Sequence, residues 1–184
     1  MSATFIIEHL EPRVYDWCKL EYAHISSVIG KDNLIVTNTA SKVLNGIARV
    51  ERKCVSELSF EGACVLDPEA PDLLTPSVAK KFNVFIFGGI LGDYPPRKRT
   101  QEELVLSYPR YNLGKDQMST DTAVIVTHMI VNGTPIGRMK FQDGVDIDIK
   151  SGESIHLPYR YLLVNGKPLL PKGLIEMLKK RKGF

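Results

Sequence analysis

One stretch of the chain decides the fold, Asn83-Val-Phe-Ile-Phe-Gly-Gly-Ile-Leu-Gly-Asp-Tyr-Pro-Pro-Arg-Lys-Arg-Thr100. The run from Val84 to Phe87 is apolar throughout, which predicts a strand covered on both faces, as in a parallel sheet. Gly88, Gly89 and Gly92 then predict a sharp turn whose backbone can approach a ligand. Because open α/β sheets bind ligands at the carboxyl ends of their strands, we interpret the turn as a candidate site. The alternative is an ordinary strand-to-helix turn.

Strands and helices alternate in the segments around this stretch. A capping box from Thr100 to Glu103 predicts the start of a helix directly after it. Residues 49–61 suggest no definite element. The other strands are expected at Thr4–Ile7, Asn33–Thr37, Ala63–Leu66 and Arg110–Leu113, and the helices at Pro12–Ile29, Ser41–Ile47, Pro76–Lys80 and about Thr120–Val131. This alternation predicts an α/β fold with a mostly parallel sheet and helices on both faces.

The C-terminal part has a different pattern. Asn165-Gly166 separates two strand-like runs and predicts a hairpin, with short strands at Arg138–Phe141 and Val145–Ile149 before it. A basic amphipathic helix over Pro171–Lys182 is expected to pack through Leu174, Ile175 and Leu178. We therefore expect a core at residues 1–134 and a β appendage at residues 135–184, packed on the same domain.

Composition excludes several classes of protein. The 184 residues fit a single domain, and the formal charge of +3 is too small to indicate nucleic-acid binding. Three cysteines without CxxC spacing indicate neither a disulfide framework nor a zinc site, and His9 and His24 are expected at the surface or at a strand end, not as metal ligands. No apolar run approaches the about 20 residues of a membrane span, and Met1-Ser-Ala-Thr4 lacks the basic start of a signal peptide. We expect a cytoplasmic protein.

Carboxylates occur at three positions where a ligand could bind. Asp93 follows the opening strand, and Asp67-Pro68 follows the strand Ala63–Leu66, although an Asp-Pro turn is the simpler interpretation of the second position. Glu21 lies within the apolar stripe of the first helix, where it either pairs with a buried cation or points into a functional cavity. P-loop, GxGxxG, GxSxG and HExxH motifs are absent from the sequence, which leaves a pocket suited to a neutral or cationic planar molecule.

Several segments together resemble a known enzyme family. They are Phe87–Asp93, Pro95–Arg97 with Arg99-Thr100, Gln117-Met118 and Thr120–Ala123, and further Ile6–His9, Leu20–Tyr22, Leu66–Pro68, Pro158 with Arg160-Tyr161, and Gly166–Pro171 with Gly173. They resemble the SPOUT-class methyltransferase family whose eukaryotic members include a protein arginine N-methyltransferase of a small-subunit ribosomal protein. Residues 40–60 are shorter than in fungal members, and Lys98 replaces an acidic position.

The resemblance implies a C-terminal deep trefoil knot and S-adenosylmethionine as cofactor, with S-adenosylhomocysteine as product. The implied cofactor residues are Leu66, Asp67, Pro68, Gly88, Gly89, Ile90, Leu91, Gly92, Leu113, Gly114, Gln117, Met118, Ser119 and Thr120. These residues belong to the loops that follow three predicted strands, Ala63–Leu66, Val84–Phe87 and Arg110–Leu113.

The resemblance also implies roles for charged residues. An arginine acceptor needs carboxylates to fix its guanidinium group, so we expect Asp93 to be catalytic with Glu8 and Glu21 as partners. Arg97, Arg99 and Asp121 are the candidate substrate-binding residues. The expected partner is a ribosomal protein, with RNA as the alternative if the arginines face the acceptor. We expect no metal and no membrane, and either a monomer or a homodimer.

Overall fold

A computed structural model describes residues 3–89, 104, 106–150 and 152–180. Its strands are β1 (Thr4–His9), β2 (Leu34–Thr37), β3 (Arg49–Val50), β4 (Ala63–Leu66), β5 (Val84–Gly89), β6 (Arg110–Tyr111), β7 (Phe141–Lys150), β8 (Glu153–Val164) and β9 (Lys167–Pro168). Its α-helices are α1 (Asp16–Ile29), α2 (Pro76–Ala79), α3 (Thr120–Val131) and α4 (Leu174–Lys180). Short 3-10 helices cover Lys31–Asn33, Lys42–Leu44, Val55–Glu57 and Ile136–Arg138.

Six strands form one parallel sheet in the order β3-β2-β1-β5-β4-β6. Each pair is parallel because helices or longer segments return the chain to the same edge between strands. The α/β class with a mostly parallel sheet is therefore confirmed. Residues 49–61, for which the sequence suggested no element, contribute the edge strand β3 and the 3-10 helix Val55–Glu57.

The two faces of this sheet carry separate apolar clusters. Alternate side chains of β1 lie on opposite faces of the sheet, so Phe5 and Ile7 belong to one cluster and Ile6 to the other. Residues of α1, α2 and α3 complete the first cluster. Among the described residues, the second cluster is completed by Val55 of a 3-10 helix, with Phe60, Leu106 and Tyr108 packed against it. Both faces of the central strands are thus buried, as the apolar run in β5 predicts.

The first helix is shorter than its pattern predicts. It begins at Asp16 and not near Pro12, because Tyr15 before it is extended, and it ends at Ile29, directly before Gly30, whose φ is 84°. An acidic residue in the first turn is favourable there because the helix dipole is positive at that end. The start at Pro12 was therefore wrong, whereas the expected end at Gly30 is confirmed.

Gly88 and Gly89 do not begin a turn, contrary to prediction. They are the last two residues of β5, where they pair with Glu8 and His9 of β1. A Cβ on Gly89 would lie 2.6 Å from Cγ2 of Ile7 and 2.8 Å from the Tyr22 hydroxyl. The glycine at this position permits close packing against neighbouring residues of the same chain.

The C-terminal strands form an antiparallel sheet in the order β7-β8-β9. Asn165 and Gly166 both have positive φ, which confirms the predicted Asn-Gly turn between β8 and β9. The two short strands expected at residues 138–149 are one strand, β7, and Arg138 belongs instead to a 3-10 helix. In α4, Leu174 and Leu178 are buried as predicted, but Ile175 is exposed.

Candidate functional site

The candidate cofactor segments follow neighbouring strands. Because β4 lies between β5 and β6 and all three are parallel, their carboxyl ends meet at one edge of the sheet. Leu66 ends β4, Gly89 ends β5, and residues 113–120 follow β6. The expectation from sequence that these loops are neighbours is confirmed for the described residues.

Asp67 is buried at this edge, directly after β4. Its Oδ2 atom accepts a hydrogen bond from Nη1 of Arg110 at 2.7 Å, and its Oδ1 atom accepts one from the backbone N–H of Glu69 at 3.0 Å. Arg110 also donates to the backbone carbonyl of Leu104. Asp67 therefore combines the local turn of an Asp-Pro sequence with a buried ion pair that joins β4 to β6.

The segment after β6 is held by hydrogen bonds at both ends. Asn112 accepts a bond from the backbone N–H of Gly114 at 2.9 Å and donates to the carbonyl of Ala70 at 2.8 Å. At the other end, the backbone N–H of Arg160 donates to the carbonyl of Gln117 at 2.8 Å. Arg160 also forms ion pairs with Asp116 at 2.7 Å and Asp143 at 2.6 Å. The antiparallel sheet thus contacts the candidate cofactor segment directly.

A cluster of polar side chains lies where α1 meets the start of α3. Nδ1 of His24 donates to Oδ2 of Asp121 at 2.7 Å, and the Ser119 hydroxyl donates to Oδ1 at 2.6 Å. On α1, the indole Nε1 of Trp17 donates to Oε1 of Glu21 at 3.2 Å. Residues 17, 21 and 24 share one face of the helix because they are four and three positions apart. The cluster therefore places two carboxylates, Glu21 and Asp121, at the contact between two helices.

Glu21 is the electrostatically unusual member of this cluster. Its side chain is buried, and burial raises its pKa well above 4.5, a shift that the charge of Asp121 increases and the bond from Trp17 reduces. Burial also raises the pKa of Tyr161 on β8, with smaller contributions from Asp121 and Glu21. Two acidic side chains that share a buried site are a candidate binding site for a cation.

The structure separates Glu8 from this cluster. Glu8 lies on the sheet face of Ile6, opposite to α1, and its Oε2 atom accepts bonds from the Thr37 hydroxyl and from the backbone N–H of Val55 at 3.0 Å. Burial raises its pKa, and the Thr37 and Val55 bonds lower it in part. Glu8 and Glu21 therefore lie on opposite faces of the sheet, and the catalytic roles of both remain predictions.

Both candidate histidines are inside the molecule and not on its surface. His9 ends β1 as expected, but it is 1% exposed and its Nδ1 atom is 2.9 Å from the Tyr22 hydroxyl. Its Nε2 atom has no hydrogen-bond partner among the described residues. Burial lowers the pKa of His9. His24 is 10% exposed in α1. The strand-end alternative is therefore confirmed for His9, whereas a surface position was wrong for His24, whose helix face packs against α3.

Six predicted site residues lie outside the described residues. They are Ile90, Leu91, Gly92, Asp93, Arg97 and Arg99. The sequence did not point to Trp17, His24, Arg110 or Tyr161 as members of the site. The spacing of Trp17, Glu21 and His24 on one helix face could have indicated the first two. Their partners on α3 and β8 are distant in sequence, so no local pattern could have indicated them.

The residues at this edge fit S-adenosylmethionine. Leu66 and Leu113 are buried apolar side chains, and Met118 is half-buried beside them in the core. Gly114 has a φ of 104°, and no atom of the described residues lies within 4 Å of the position that a Cβ would take. Apolar side chains, open space beside a glycine and nearby carboxylates suit a planar purine and a sulfonium cation.

In the part of the chain that the structure describes, no three His, Cys, Asp or Glu side chains are grouped as metal ligands. None of the helices described is long and apolar enough to cross a membrane.

Comparison with known proteins reveals similarity over nearly the whole chain. Residues 4–183 match the family model described as Protein arginine N-methyltransferase SFM1-like. The protein arginine N-methyltransferase SFM1 of Saccharomyces cerevisiae is 36% identical, and the match covers 96% of this chain and 94% of the yeast protein.

Solved structures agree with this match. The yeast arginine methyltransferase SFM1 complexed with SAM has a TM-score of 0.88 at 34% identity, covering 98% of this chain and 91% of that chain. The SFM1 complex with SAH has a TM-score of 0.87 at 34% identity, covering 96% and 94%. Dual specific Trm10 of Thermococcus kodakaraensis, at 17% identity and a TM-score of 0.55, covers 73% of this chain and 95% of its own, and shares the fold alone.

Proposed function

The chain belongs to the SFM1-like family of protein arginine N-methyltransferases, and on this premise we propose that it methylates an arginine side chain of a protein, using S-adenosylmethionine. One observation carries the proposal. The candidate cofactor segment, residues 113–120, leads directly into Asp121, which shares a buried site with Glu21. Two carboxylates beside a methyl donor suit a cationic acceptor, whereas they would repel the phosphates of RNA.

The cofactor would be held at the carboxyl edge of β4, β5 and β6. Bound S-adenosylmethionine supplies an electrophilic methyl group on a sulfonium sulfur. The described residues that would hold it are Leu66, Asp67, Pro68, Gly88, Gly89, Leu113, Gly114, Gln117, Met118, Ser119 and Thr120. From the sequence, Ile90, Leu91 and Gly92 join them. Asp67 would act through its ion pair with Arg110, which fixes the turn after β4.

The acceptor would be positioned by Asp121 and Glu21. A guanidinium group has a pKa above about 12, so it arrives charged and is fixed best by carboxylate oxygens. Most of the work is then to hold one guanidinium nitrogen in line with the methyl group. His24 and Ser119 fix the orientation of Asp121, which limits the directions from which the guanidinium can bind. Asp93 remains the sequence-based candidate for a further carboxylate, and Arg97 and Arg99 for substrate contacts.

We propose finer properties on the same basis. The resemblance to the SPOUT class seen in the sequence supports a C-terminal deep trefoil knot, and the strand pattern supports a core at residues 1–134 with an appendage at residues 135–184. The resemblance seen in the sequence supports a small-subunit ribosomal protein as substrate, a cytoplasmic location, and either a monomer or a homodimer.

Methylation with a labelled donor tests the proposal. The purified full-length chain is incubated with S-adenosylmethionine labelled with tritium in its methyl group and with ribosomal proteins, and the protein is then hydrolysed. We expect label in methylarginine, and its loss when Asp121→Asn replaces the wild type. Asp146→Asn is the matched control because Asp146 is an exposed carboxylate of β7.

Other distributions of the label would contradict the proposal. Label found in RNA alone would assign the chain to RNA methylation, the alternative that the sequence left open. Transfer to lysine or to a protein terminus would also contradict an arginine acceptor. A complete lack of S-adenosylmethionine binding in calorimetry would contradict the cofactor itself.

A further inference from the structure

The two carboxylates of the cluster, Asp121 and Glu21, accept different numbers of side-chain hydrogen bonds. Both oxygens of Asp121 accept short bonds, from His24 at 2.7 Å and Ser119 at 2.6 Å. Among the described residues, Glu21 receives one side-chain hydrogen bond, from Trp17 at 3.2 Å. Hydrogen bonds stabilise a carboxylate in its ionised form, so this inequality favours a negative charge on Asp121 and disfavours one on Glu21.

Both carboxylates are buried. Glu21 is 6% exposed and Asp121 is 1% exposed, so neither charge is stabilised by bulk water. Two adjacent buried carboxylates cannot both ionise without a large electrostatic cost, and one of them keeps a proton. Burial first, and the Asp121 charge second, raise the pKa of Glu21. When the environments of two acids differ in this way, their functions differ as well.

Among the described residues, the other titratable groups around Glu21 do not supply a positive charge to offset this effect. Burial raises the pKa values of Cys18, Tyr22 and Tyr161, so these three side chains are neutral near pH 7. Within α1, His24 donates to Asp121, not to Glu21. The described titratable groups near Glu21 on α1, α3 and β8 are Cys18, Tyr22, His24, Asp121 and Tyr161, and the charge of Glu11, before α1, acts on Cys18 and Tyr22.

We propose that Glu21 carries a proton in the substrate-free enzyme and that entry of the acceptor guanidinium displaces this proton to solvent. The proposal rests on the arginine function proposed above. The O–H bond of Glu21 breaks, its proton passes to water, and the carboxylate left behind accepts N–H bonds from the guanidinium group. No oxidation or reduction occurs. His24 is a positioning residue, because its hydrogen bond to Oδ2 fixes the orientation of Asp121.

This arrangement makes binding selective for cations. A neutral side chain of the same shape cannot compensate for ionising Glu21, so citrulline in place of arginine would leave the proton in place. Arginine binding would strengthen as pH rises, because less work is then needed to remove the proton. The Michaelis constant of wild-type enzyme should fall by up to about tenfold per pH unit in the range where Glu21 titrates.

Calorimetry in two buffers measures the displaced proton. The full-length protein, saturated with S-adenosylhomocysteine, is titrated with a blocked Gly-Gly-Arg-Gly-Gly peptide at one pH in phosphate and in Tris. These buffers take up a proton with different enthalpies, so the observed heats should differ by an amount that corresponds to up to about one proton released. Glu21→Gln should bind with the same heat in both buffers. The peptide with citrulline should release no proton from the wild type.

His24→Gln separates positioning from folding. It should raise the Michaelis constant more than it lowers kcat, and it should alter the pH dependence of the Michaelis constant. A purely structural role would lower the amount of active enzyme at every pH equally.

The outcomes distinguish this inference from the function on which it rests. Peptide binding and methylation with equal heats in both buffers would overturn proton displacement and leave the arginine function standing. Equal proton release by wild type and Glu21→Gln would overturn the role of Glu21. Failure of the wild type both to bind the arginine peptide and to methylate any protein would overturn the arginine function, and displacement with it.

Discussion

Nδ1 of His24 lies 2.7 Å from Oδ2 of Asp121, and this bond joins two helices across 97 positions of sequence. Asp121 is in the first turn of α3, where the helix dipole favours a negative charge. His24 is one turn from Glu21 on α1. His24 therefore orients Asp121, one carboxylate of the candidate acceptor site. The same helix, α1, carries the other carboxylate, Glu21.

Asp121→Asn should reduce kcat/KM for arginine methylation about ten- to hundredfold, because a neutral amide replaces a carboxylate opposite a guanidinium. The fold should survive, since the amide oxygen can still accept one of the two bonds. Steady-state kinetics measure the effect, and Asp146→Asn on β7 should retain wild-type rates. Unchanged kinetics in Asp121→Asn would place the acceptor elsewhere.

The stability of the protein should depend on pH through Glu21. Its folded pKa is raised above the unfolded value of about 4.5, so the unfolded chain loses this proton first as pH rises. Wild type should therefore lose stability relative to Glu21→Gln above this value, by about 1.4 kcal/mol per pH unit until the folded pKa is reached. Urea unfolding at several pH values measures this difference. Parallel pH curves for the two proteins would contradict it.

Glu8 should be a structural residue. Glu8→Ala removes the acceptor of the Thr37 hydroxyl and the Val55 backbone N–H, and should cost about 1–3 kcal/mol of unfolding free energy. Glu8→Gln should fold well because its amide oxygen can accept both bonds. Folded Glu8→Gln enzyme is expected to retain methyl transfer. A folded variant without turnover would instead support the catalytic role that the sequence suggested.

Gly89→Ala should destabilise the protein by about 1–3 kcal/mol, because its new methyl group would overlap Ile7, Tyr22 and the carbonyl of Glu8. The carbonyl belongs to the backbone and cannot move aside as a side chain can. Gly137→Ala is the matched control, since no described atom lies within 4 Å of its Cβ position and its φ is not positive. Thermal unfolding compares the two variants, and equal melting temperatures would show that β1 and β5 can separate at little cost.

Arg110→Ala should cost about 2–3 kcal/mol of unfolding free energy, because it leaves the buried carboxylate of Asp67 without its cation. This loss of unfolding free energy is smaller than for a fully buried pair because the Arg110 side chain is 24% exposed. S-adenosylmethionine should also bind more weakly, since the turn after β4 loosens. Asp146→Ala breaks an exposed pair with His156 and should change stability by less than about 1 kcal/mol. Urea unfolding and calorimetry measure the two effects.

Local pattern was sufficient for the elements whose formation depends on neighbours in sequence. Apolar runs predict the strands β4 and β5, and periodicity predicts the helix α3. The pair Asn165-Gly166 predicts a turn because both residue types readily adopt the positive φ that the structure shows. The start of α1 and the length of β7 did not follow. Helix ends depend weakly on sequence. β7 continues through an irregularity at Gly144 because β8 pairs with it on both sides of that residue.

The sequence by itself determined the α/β class, the neighbouring strand-end loops and the placement of Glu21 on an apolar helix face, because each depends on residues close together in the chain. Only the tertiary structure decided which carboxylates share a site. It separated Glu8 from Glu21, since β1 presents Glu8 to the face opposite α1. It joined Asp121, His24 and Ser119 to that site through the contact of α1 with α3. Burial then raised the pKa of Glu21, and burial is a property of the packed molecule.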